Sequence, residues 1–344
     1  MKPIRVVVWG LGTMGSLMAK ILSEKEGIDI TGAVDLNPET AGKSLGAITG
    51  SSRHGEITVT ADAGEALAQD ADLVLLATSS FISETADPVR QIVKSGKNVI
   101  TIAEEWAFPR RTAPKEAEEI DRLAKTFGVS VLGTGVNPGF VLDTLIIALS
   151  GTCADVSKIT ARRVNDLSPF GPTVMASQGI GLSPEDFEKG LESGAIAGHI
   201  GFEQSIHMIA SSLGIRLEKI TQSLEPIISR TSRKTSCVSI SPGQVAGCNH
   251  RAEGWSDGRP VIILEHPQQV HPRTENVETG DFIHIEGRPD IRLAIQPEIP
   301  GGTATAALAV NMIPHVLNAP AGLACMADLP VPSARLADFR QFLK

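Results

Sequence analysis

The 344-residue sequence contains no tyrosine, and its ten phenylalanines and three tryptophans bring the aromatic share to only 4%. A tyrosine hydroxyl is therefore excluded as the acid or base of any reaction, so another group must move protons. The four cysteines are far apart and form no CxxC or Cys/His cluster; they are Cys153, Cys237, Cys248 and Cys325. Because zinc sites need such clusters, we expect no metal and expect each cysteine to behave as a small apolar residue.

The sequence also lacks basic clusters and long apolar runs. Its formal net charge is −8, and no apolar stretch is long enough to span a bilayer. We therefore expect no nucleic acid and no membrane among its partners, and small metabolites instead. The first residues enter a predicted strand without the charged region, apolar core and cleavage site of a signal peptide, so we predict a cytoplasmic protein.

The strongest motif lies within the first fifteen residues. A β-branched run, Ile4 to Trp9, leads into the turn Gly10-Leu11-Gly12-Thr13-Met14-Gly15, and an apolar stretch with helical spacing follows. This is the strand, glycine turn and helix of a dinucleotide-binding GxGxxG motif. The three glycines allow the tight turn, the approach of a pyrophosphate and the close packing of helix on strand. We predict that all six residues of the turn bind the cofactor, whose phosphates face the N–H groups at the helix start.

Asp35 bears on the choice of cofactor. It ends the second predicted strand, about 20 residues past the last glycine, where dinucleotide folds place the carboxylate that binds the adenosine ribose. Such a carboxylate repels a 2′-phosphate, and no arginine follows it in the next three residues, so NAD is favoured over NADP. NADP stays open because Lys43 or Arg53 could neutralise a phosphate, and Asp35 could also be an ordinary turn residue.

The first 140 residues alternate between strand and helix patterns. Strands are predicted over 4–9, 28–34, 73–77, 98–101 and 130–133, and helices over 63–69, 85–95 and 114–127. Such alternation predicts an α/β fold with a doubly wound parallel sheet, a Rossmann domain over residues 1–140. Ligands of such sheets bind beyond the carboxyl ends of the strands, which makes Thr78 and Ser79 further candidates for cofactor contacts.

The pattern changes after residue 140. A helix is predicted over 142–150 and strands over 158–165, 262–265, 281–286 and 292–296, separated by turns rich in proline and glycine. This predicts a second, α+β domain over 141–302 with an antiparallel or mixed sheet. A last apolar stretch, 304–316, has helical spacing, and we expect residues 303–344 to pack back on the first domain.

Two carboxylates stand beside an aromatic residue just after the fourth predicted strand, in the order Glu104-Glu105-Trp106. A carboxylate partly desolvated against Trp106 would have a raised pKa and could exchange protons near neutrality. One of the pair is therefore a candidate general acid/base, and strand alternation slightly favours Glu104. Alternatively, both glutamates cap the helix that follows.

Four other polar residues could line a cleft. The Asn137 amide could bond the nicotinamide carboxamide, although its glycine-rich segment could equally be a plain interdomain turn. Arg163 and Asn165 alternate along one predicted strand and share a face, so Arg163 could bind a substrate carboxylate. His199, in a glycine-flanked segment, could bind a polar group. Each signal is weak by itself, because single arginines and histidines are more often structural.

Six segments, taken in order, resemble the dihydrodipicolinate reductase-like dehydrogenases and, within them, the 2,4-diaminopentanoate dehydrogenases and the related amine dehydrogenases. They are GLGTMG, ITIAEEWAFP, GTGVNPGFVLD, RVND, GHIGFEQS and GTATAALAVNMIPHVLNAPAGL. The resemblance covers nearly the whole chain. It implies hydride transfer between NAD(P) and an amine-bearing carbon, with ammonia released on oxidation or consumed in reductive amination of a ketone.

The resemblance also implies site residues. The catalytic glutamate would be Glu104 or Glu105, and the substrate pocket would be lined by Phe140, Arg163, Asn165, His199 and Thr303. Trp106 together with Phe140 indicates a small, apolar pocket. By analogy with such enzymes, a homodimer is expected.

Two other functions stay open. One is reduction of a carbonyl or cyclic imine without free ammonia, although the adjacent histidines and the lysine of true dihydrodipicolinate reductases are missing after Arg163. The other is a dinucleotide sensor without turnover.

Overall fold

The computed structural model describes residues 2–344, which form two compact units. The first comprises residues 2–140 together with Pro300–Lys344, and the second is Val141–Ile299. No helix in residues 2–344 is both long and apolar enough to cross a membrane.

The first unit is built around a parallel sheet. Its strands up to residue 140 are β1 (Ile4–Trp9), β2 (Ile28–Val34), β3 (Leu73–Leu76), β4 (Asn98–Thr101) and β5 (Ser130–Gly133). Its helices there are α1 (Thr13–Ser23), α2 (Leu45–Thr49), α3 (Ala63–Ala68), α4 (Ile82–Lys94), α5 (Pro109–Thr112) and α6 (Pro114–Phe127). A 3-10 turn, Glu104–Ala107, follows β4. The strands are almost fully buried, as expected for a parallel sheet that helices cover on both faces.

The second unit contains a mixed six-stranded sheet. Its strands are β6 (Asp155–Asp166), β7 (Lys219–Ile228), β8 (Arg233–Lys234), β9 (Ser239–Ile240), β10 (Val245–Ser256), β11 (Arg259–Gln269), β12 (Gly280–Arg288) and β13 (Ile291–Ile295). Its helices are α7 (Thr144–Ser150), α8 (Pro172–Ser177), α9 (Pro184–Glu192) and α10 (Phe202–Leu213). The order is β13-β12-β6-β11-β10-β7, in which only β6 and β11 are parallel, and β8 and β9 form a separate pair.

The last residues complete the first unit with α11 (Gly301–Asn311), α12 (Ile313–Leu317) and β14 (Gly322–Ala324). Strand β14 pairs in parallel with β5, so the first sheet has the order β14-β5-β4-β3-β1-β2. The single helix predicted over 304–316 is divided at Met312, because Pro314 lies in the first turn of α12 and has no N–H to continue α11.

The predicted fold class is confirmed: a doubly wound parallel sheet and a second domain with a mixed sheet. Strands β7 and β10 were not predicted. Most β7 side chains are exposed or half-exposed, and β10 carries glycine, cysteine and histidine where an apolar residue would signal a strand. Neither strand therefore shows the apolar alternation on which such a prediction depends.

Candidate active site

The glycine turn between β1 and α1 has the geometry of a phosphate cradle. Gly10 has φ +93°, and a Cβ atom there would lie 2.4 Å from the Ala77 carbonyl oxygen. A Cβ atom on Gly15 would lie 1.7 Å from the Gly10 oxygen, whereas one on Gly12 would meet nothing within 4 Å. Gly12 is the N-cap of α1 and has no capping side chain, so the first N–H groups of the helix lack intrahelical acceptors. The open space above Gly12 therefore fits a pyrophosphate.

Asp35 is joined to this turn by hydrogen bonds. Its carboxylate accepts the Leu11 N–H at 2.6 Å and the Asn37 N–H at 2.8 Å, which places it beside the cradle at the end of β2. Arg53 lies elsewhere, because its guanidinium donates to the carbonyl oxygens of Lys25 and Ile28, at the start of β2. Arg53 is thus engaged away from the Asp35 carboxylate.

The loops after β3 and β5 end at the same edge of the sheet. Thr78 is exposed, and its Cγ2 atom lies 3.0 Å from the position of a Cβ on Gly10. Ser79 is half-buried and accepts the Phe81 N–H at 3.3 Å. Asn137 is half-buried after β5, in a loop that Thr305 of α11 holds by accepting the Val136 N–H at 3.1 Å.

Two predicted substrate contacts belong to the first unit. Phe140 is half-buried at the end of the loop that follows β5. Thr303 is exposed in the first turn of α11.

Glu104 begins the 3-10 turn after β4 and is half-buried. Burial raises the pKa of its carboxyl, and the negative charge of Glu105 adds to this. A hydrogen bond from the Ser80 hydroxyl opposes the rise, because it stabilises the anion. The arrangement leaves Glu104 able to take up and release a proton closer to neutrality than a solvated carboxylate.

Glu105 has a different role in the structure. Its carboxylate accepts the Ile82 N–H at 2.6 Å, at the start of α4, where the N-cap residue Phe81 provides no capping side chain. Glu105 therefore caps α4. The sequence left open that both glutamates cap the helix that follows them. In the structure the cap is Glu105, and the helix that it caps is α4, which precedes the pair in sequence.

Trp106 does not line a substrate pocket, contrary to the prediction. Its side chain is fully buried in the core of the first unit, and its indole N–H donates to the Thr85 hydroxyl at 2.8 Å. No part of the ring is left for a substrate to contact. We therefore remove Trp106 from the substrate site and assign it to the packing of the 3-10 turn on α4.

A row of polar residues crosses the sheet of the second unit. Register pairs Asp281 of β12 with Arg163 of β6, and His250 of β10 with His266 of β11. The pairing of β6 with β11 places Arg163 next to His266, and Asn165 is opposite Gln268 one step further along the same face. All of these side chains are buried.

Arg163 is engaged by partners within its own unit. It forms an ion pair with Asp281 at 2.5 Å and donates to the carbonyl oxygen of Ile299, whose N–H in turn donates to Asp281 at 2.8 Å. Burial raises the pKa of Asp281, although the positive charge of Arg163 acts to lower it. The positive charge of Arg163 is therefore balanced, and the ion pair holds the end of the second unit.

Three histidines pack together near Arg163. The His199 ring lies 4.9 Å from the His266 ring and 4.8 Å from Phe202. Burial is the main cause that lowers the pKa of His199 to about 3 and of His250 to about 4, and it lowers the pKa of His266 well below its usual value. The charge of Arg163 adds to this for His199 and His266. All three rings are therefore neutral at physiological pH.

His266 is the residue of this cluster that indicates a ligand. It is 4% exposed, and within the described chain neither of its ring nitrogens has a hydrogen-bond partner. A neutral imidazole has one hydrogen-bond donor and one acceptor. Burying both without hydrogen bonds costs free energy of folding. No three His, Cys, Asp or Glu side chains in residues 2–344 are placed to hold a metal ion. A polar organic group is the ligand that suits this position.

Sequence reasoning missed His250 and His266, although a signal was present. Asp257-Gly258 is a two-residue hairpin signal, and both residues have positive φ between β10 and β11. A hairpin closed there brings the two histidines to nearly opposite positions. The bulge between Gly254 and Trp255 shifts the register by one residue and makes them face each other directly.

The comparisons with known proteins agree with this architecture. Residues 4–102 match the family model of the dihydrodipicolinate reductase N-terminus, and residues 140–344 match that of the 2,4-diaminopentanoate dehydrogenase C-terminal domain. The 2,4-diaminopentanoate dehydrogenase of Acetoanaerobium sticklandii is 45% identical over 350 residues, which covers 100% of this chain and 98% of that protein. The chain belongs to the 2,4-diaminopentanoate dehydrogenase family.

Amine dehydrogenases are more distant relatives of this chain. The enzyme from Streptomyces virginiae is 26% identical, covering 96% of this chain and 97% of its own. The solved structure of the amine dehydrogenase from Mycobacterium smegmatis has a TM-score of 0.86 at 27% identity, covering 97% and 98% of the two chains. The predicted family is thus confirmed, and with it a dehydrogenase that has a dinucleotide-binding fold and a small-molecule substrate.

Proposed function

We propose that this family member catalyses the NAD-linked oxidative deamination of a small amine or diamino acid to a carbonyl compound and ammonia, and the reverse reductive amination. The observation that supports this proposal most is the half-buried carboxylate of Glu104, which has a raised pKa and lies at the carboxyl edge of the dinucleotide-binding sheet. The A. sticklandii relative supports 2,4-diaminopentanoate, or a close analogue, as the first substrate class to test.

The cofactor would be held by the turn from Gly10 to Gly15, by Asp35 at the adenosine ribose, and by Thr78, Ser79 and Asn137. A bound NAD supplies the acceptor for the hydride that leaves the amine-bearing carbon. NAD is proposed over NADP because Asp35 lies against the cradle and Arg53 is engaged at the far end of β2.

Glu104 would act on the cation that hydride loss leaves behind. As an anion it stabilises the iminium ion, and it accepts a proton from the water that attacks the iminium carbon. The carbinolamine that forms breaks its C–N bond, with a proton passing to the leaving nitrogen, and releases ammonia and the carbonyl product. Glu104 is the catalytic residue of this proposal, and Glu105 is not.

In the second unit, we propose His199, His266, Arg163 and Asn165 as substrate-binding residues. The unmade hydrogen bonds of His266 support this, because a substrate carboxylate or amine could supply the missing partner. Phe140 and Thr303 of the first unit stay predictions for the same role.

A homodimer is part of the proposal. Arg162, Arg251, Glu253 and Glu265 lie on the sheet face opposite the histidines and form ion pairs there, while Arg162 and Arg251 keep 50% and 36% of their side-chain surface exposed. A face that carries both charge signs can be complementary to itself across a two-fold axis. A cytoplasmic location stays a prediction.

The decisive assay measures NADH in both directions. NADH should form from NAD with 2,4-diaminopentanoate or a simple amine, and with ketones it should be consumed only when ammonium is present. Consumption without ammonium would favour the carbonyl or cyclic imine reductase, and NADH binding without turnover on the whole panel would favour the sensor. Glu104→Gln should abolish turnover, and Glu118→Gln on the exposed face of α6 is the matched control.

A further inference from the structure

One peptide bond of the second unit, between Gly198 and His199, is held at both of its polar atoms. Its carbonyl oxygen accepts a hydrogen bond from Gln178 Nε2 at 2.8 Å, and its N–H donates to His250 Nδ1 at 3.0 Å. Gly198 has φ +65°, and a Cβ atom there would lie 2.9 Å from the Leu224 side chain and 3.0 Å from His250 Nδ1. A residue other than glycine would therefore prevent this close approach.

Cys248 on β10 sets the orientation of the Gln178 amide. Its thiol donates to Gln178 Oε1 at 2.9 Å, and both side chains are buried. Burial raises the pKa of this thiol to about 12, so the sulfur keeps the proton that it donates. Because Oε1 accepts from the thiol, the NH₂ group of the amide is directed at the Gly198 carbonyl oxygen.

The hydrogen bonds beyond His250 run in the same direction. His250 Nε2 donates to Gln222 Oε1 at 2.9 Å, and Gln222 Nε2 donates to the Glu203 carboxylate at 2.9 Å. From Cys248 to Glu203, each group thus donates to the next one. Hydrogen bonds aligned in this way strengthen one another, so the peptide bond before His199 has a single preferred arrangement.

This peptide bond leads directly into the His199 side chain. The His199 ring packs edge-on against Phe202 at 4.8 Å and against His266 at 4.9 Å between ring centroids. His266 is the buried ring whose nitrogens have no hydrogen-bond partner within the described chain. The hydrogen bonds on both sides of the peptide therefore determine where the His199 ring lies relative to the ring that indicates a ligand.

We propose that Gln178 is the positioning residue of His199 and thereby a determinant of substrate affinity. This role rests on the proposed function, because it requires His199 to bind the substrate. Gln178 bonds only the backbone, so its effect reaches the substrate through the place of the His199 ring. A side chain that is held in its binding position beforehand costs less ordering when the ligand binds. Loss of this hold weakens binding of the ground state and the transition state alike, which raises KM and leaves kcat unchanged.

The experiment measures KM and kcat for oxidative deamination by the full-length enzyme, with 2,4-diaminopentanoate or, if a simple amine is turned over faster, with that amine. Gln178→Met removes the donor from a side chain of similar length. The KM for the amine should rise about tenfold, while kcat and the KM for NAD stay within about twofold. Gln244→Met is the matched control, because the Gln244 amide also donates to a glycine carbonyl oxygen, that of Gly181 at 2.8 Å. It should leave all three constants unchanged.

A double variant separates positioning from a general effect on the fold. His199→Asn alone should raise the KM for the amine. If Gln178 acts through His199, adding Gln178→Met to His199→Asn should raise the KM no further, whereas two independent effects would multiply.

A milder pair of variants tests the same chain of hydrogen bonds from its start. Cys248→Ala removes the donor that orients the Gln178 amide and should raise the KM about threefold, whereas Cys248→Ser keeps a donor and should restore it. Should Gln178→Met fail to fold, this pair decides by the same criterion.

The positioning role is overturned if Gln178→Met leaves the KM unchanged while His199→Asn raises it, or if the two effects multiply in the double variant. In both cases the proposed function still stands. An unchanged KM in His199→Asn would overturn both the substrate-binding role of His199 and the role of Gln178. If the unmodified enzyme forms no NADH with any amine, the proposed function itself fails.

Discussion

The Nδ1 atom of His250 accepts a hydrogen bond from the backbone N–H of His199 at 3.0 Å. A backbone N–H can only donate, so the proton of the neutral ring is on Nε2, which donates to Gln222 Oε1 at 2.9 Å. Gln178 holds the same segment from another side by donating to the Gly198 carbonyl oxygen at 2.8 Å. The position of His199 therefore depends on a neutral His250.

This relationship predicts that acid weakens the fold. The unfolded chain protonates His250 near pH 6.5, whereas in the folded state burial lowers the pKa of its ring to about 4. Between these values the unfolded state binds more protons, so the free energy of unfolding should fall as the pH falls from 6.5 toward 4. Urea unfolding at several pH values measures this slope. His250→Gln should flatten it by up to about 1.4 kcal/mol per pH unit, and an unchanged slope would contradict the neutral ring.

Glu104→Gln should lower kcat for deamination by about 10²- to 10⁴-fold, because the amide can neither accept a proton nor stabilise a cation as a carboxylate does. The affinity for NADH, measured by fluorescence titration, should stay within about twofold of the unmodified enzyme. Near-normal turnover in this variant would show that another group manages the protons.

Gly12→Ala should separate cofactor binding from folding. Gly12 has φ −64°, and its added methyl meets nothing within 4 Å in the protein, so the melting temperature should stay nearly unchanged. The methyl would occupy the space assigned to the pyrophosphate, and we expect the Kd for NAD to rise about tenfold or more. Gly171→Ala, at the N-cap of α8 with equally free space, is the control and should bind NAD normally.

Asp35→Ser should reduce the preference for NAD. The shorter, neutral side chain removes repulsion of a 2′-phosphate and weakens the contact with the ribose hydroxyls. The ratio of kcat/KM for NAD to that for NADP should fall about tenfold, measured with a saturating amine. An unchanged ratio would mean that Asp35 is an ordinary turn residue that only bonds the N–H groups of Leu11 and Asn37.

Asp281→Asn should destabilise the second unit by about 3 to 5 kcal/mol, because it leaves the Arg163 charge buried without a partner. The double variant Arg163→Met, Asp281→Leu removes both charges and should recover most of this loss in urea unfolding. Its KM then tests the role of Arg163. A KM raised at least about tenfold for an amino acid substrate, but not for a simple amine, would show a contact with the carboxylate.

Local pattern was sufficient for much of the first domain. Strands β1, β2, β4 and β5 begin and end where they were predicted, because each is a short buried run between clear turns. The glycine turn was also predictable, since the positive φ of Gly10 and the contact of Gly15 with the Gly10 oxygen both arise within six residues of the chain. The second domain was less predictable, because most side chains of β7 are exposed or half-exposed and β10 places glycine, cysteine and histidine at buried positions.

The amino-acid order alone determined the dinucleotide-binding motif, the α/β class and the pair of glutamates in which the chemistry was sought. Only the tertiary structure decided how each member of the pair is placed: the Glu105 carboxylate accepts the Ile82 N–H, and the Glu104 carboxyl is half-buried with a raised pKa. It also placed His250 beside His266 through a bulge in a hairpin, and moved Trp106 into the core. These outcomes depend on which distant segments pack together, and side chains acquire such partners only when the sheets have formed.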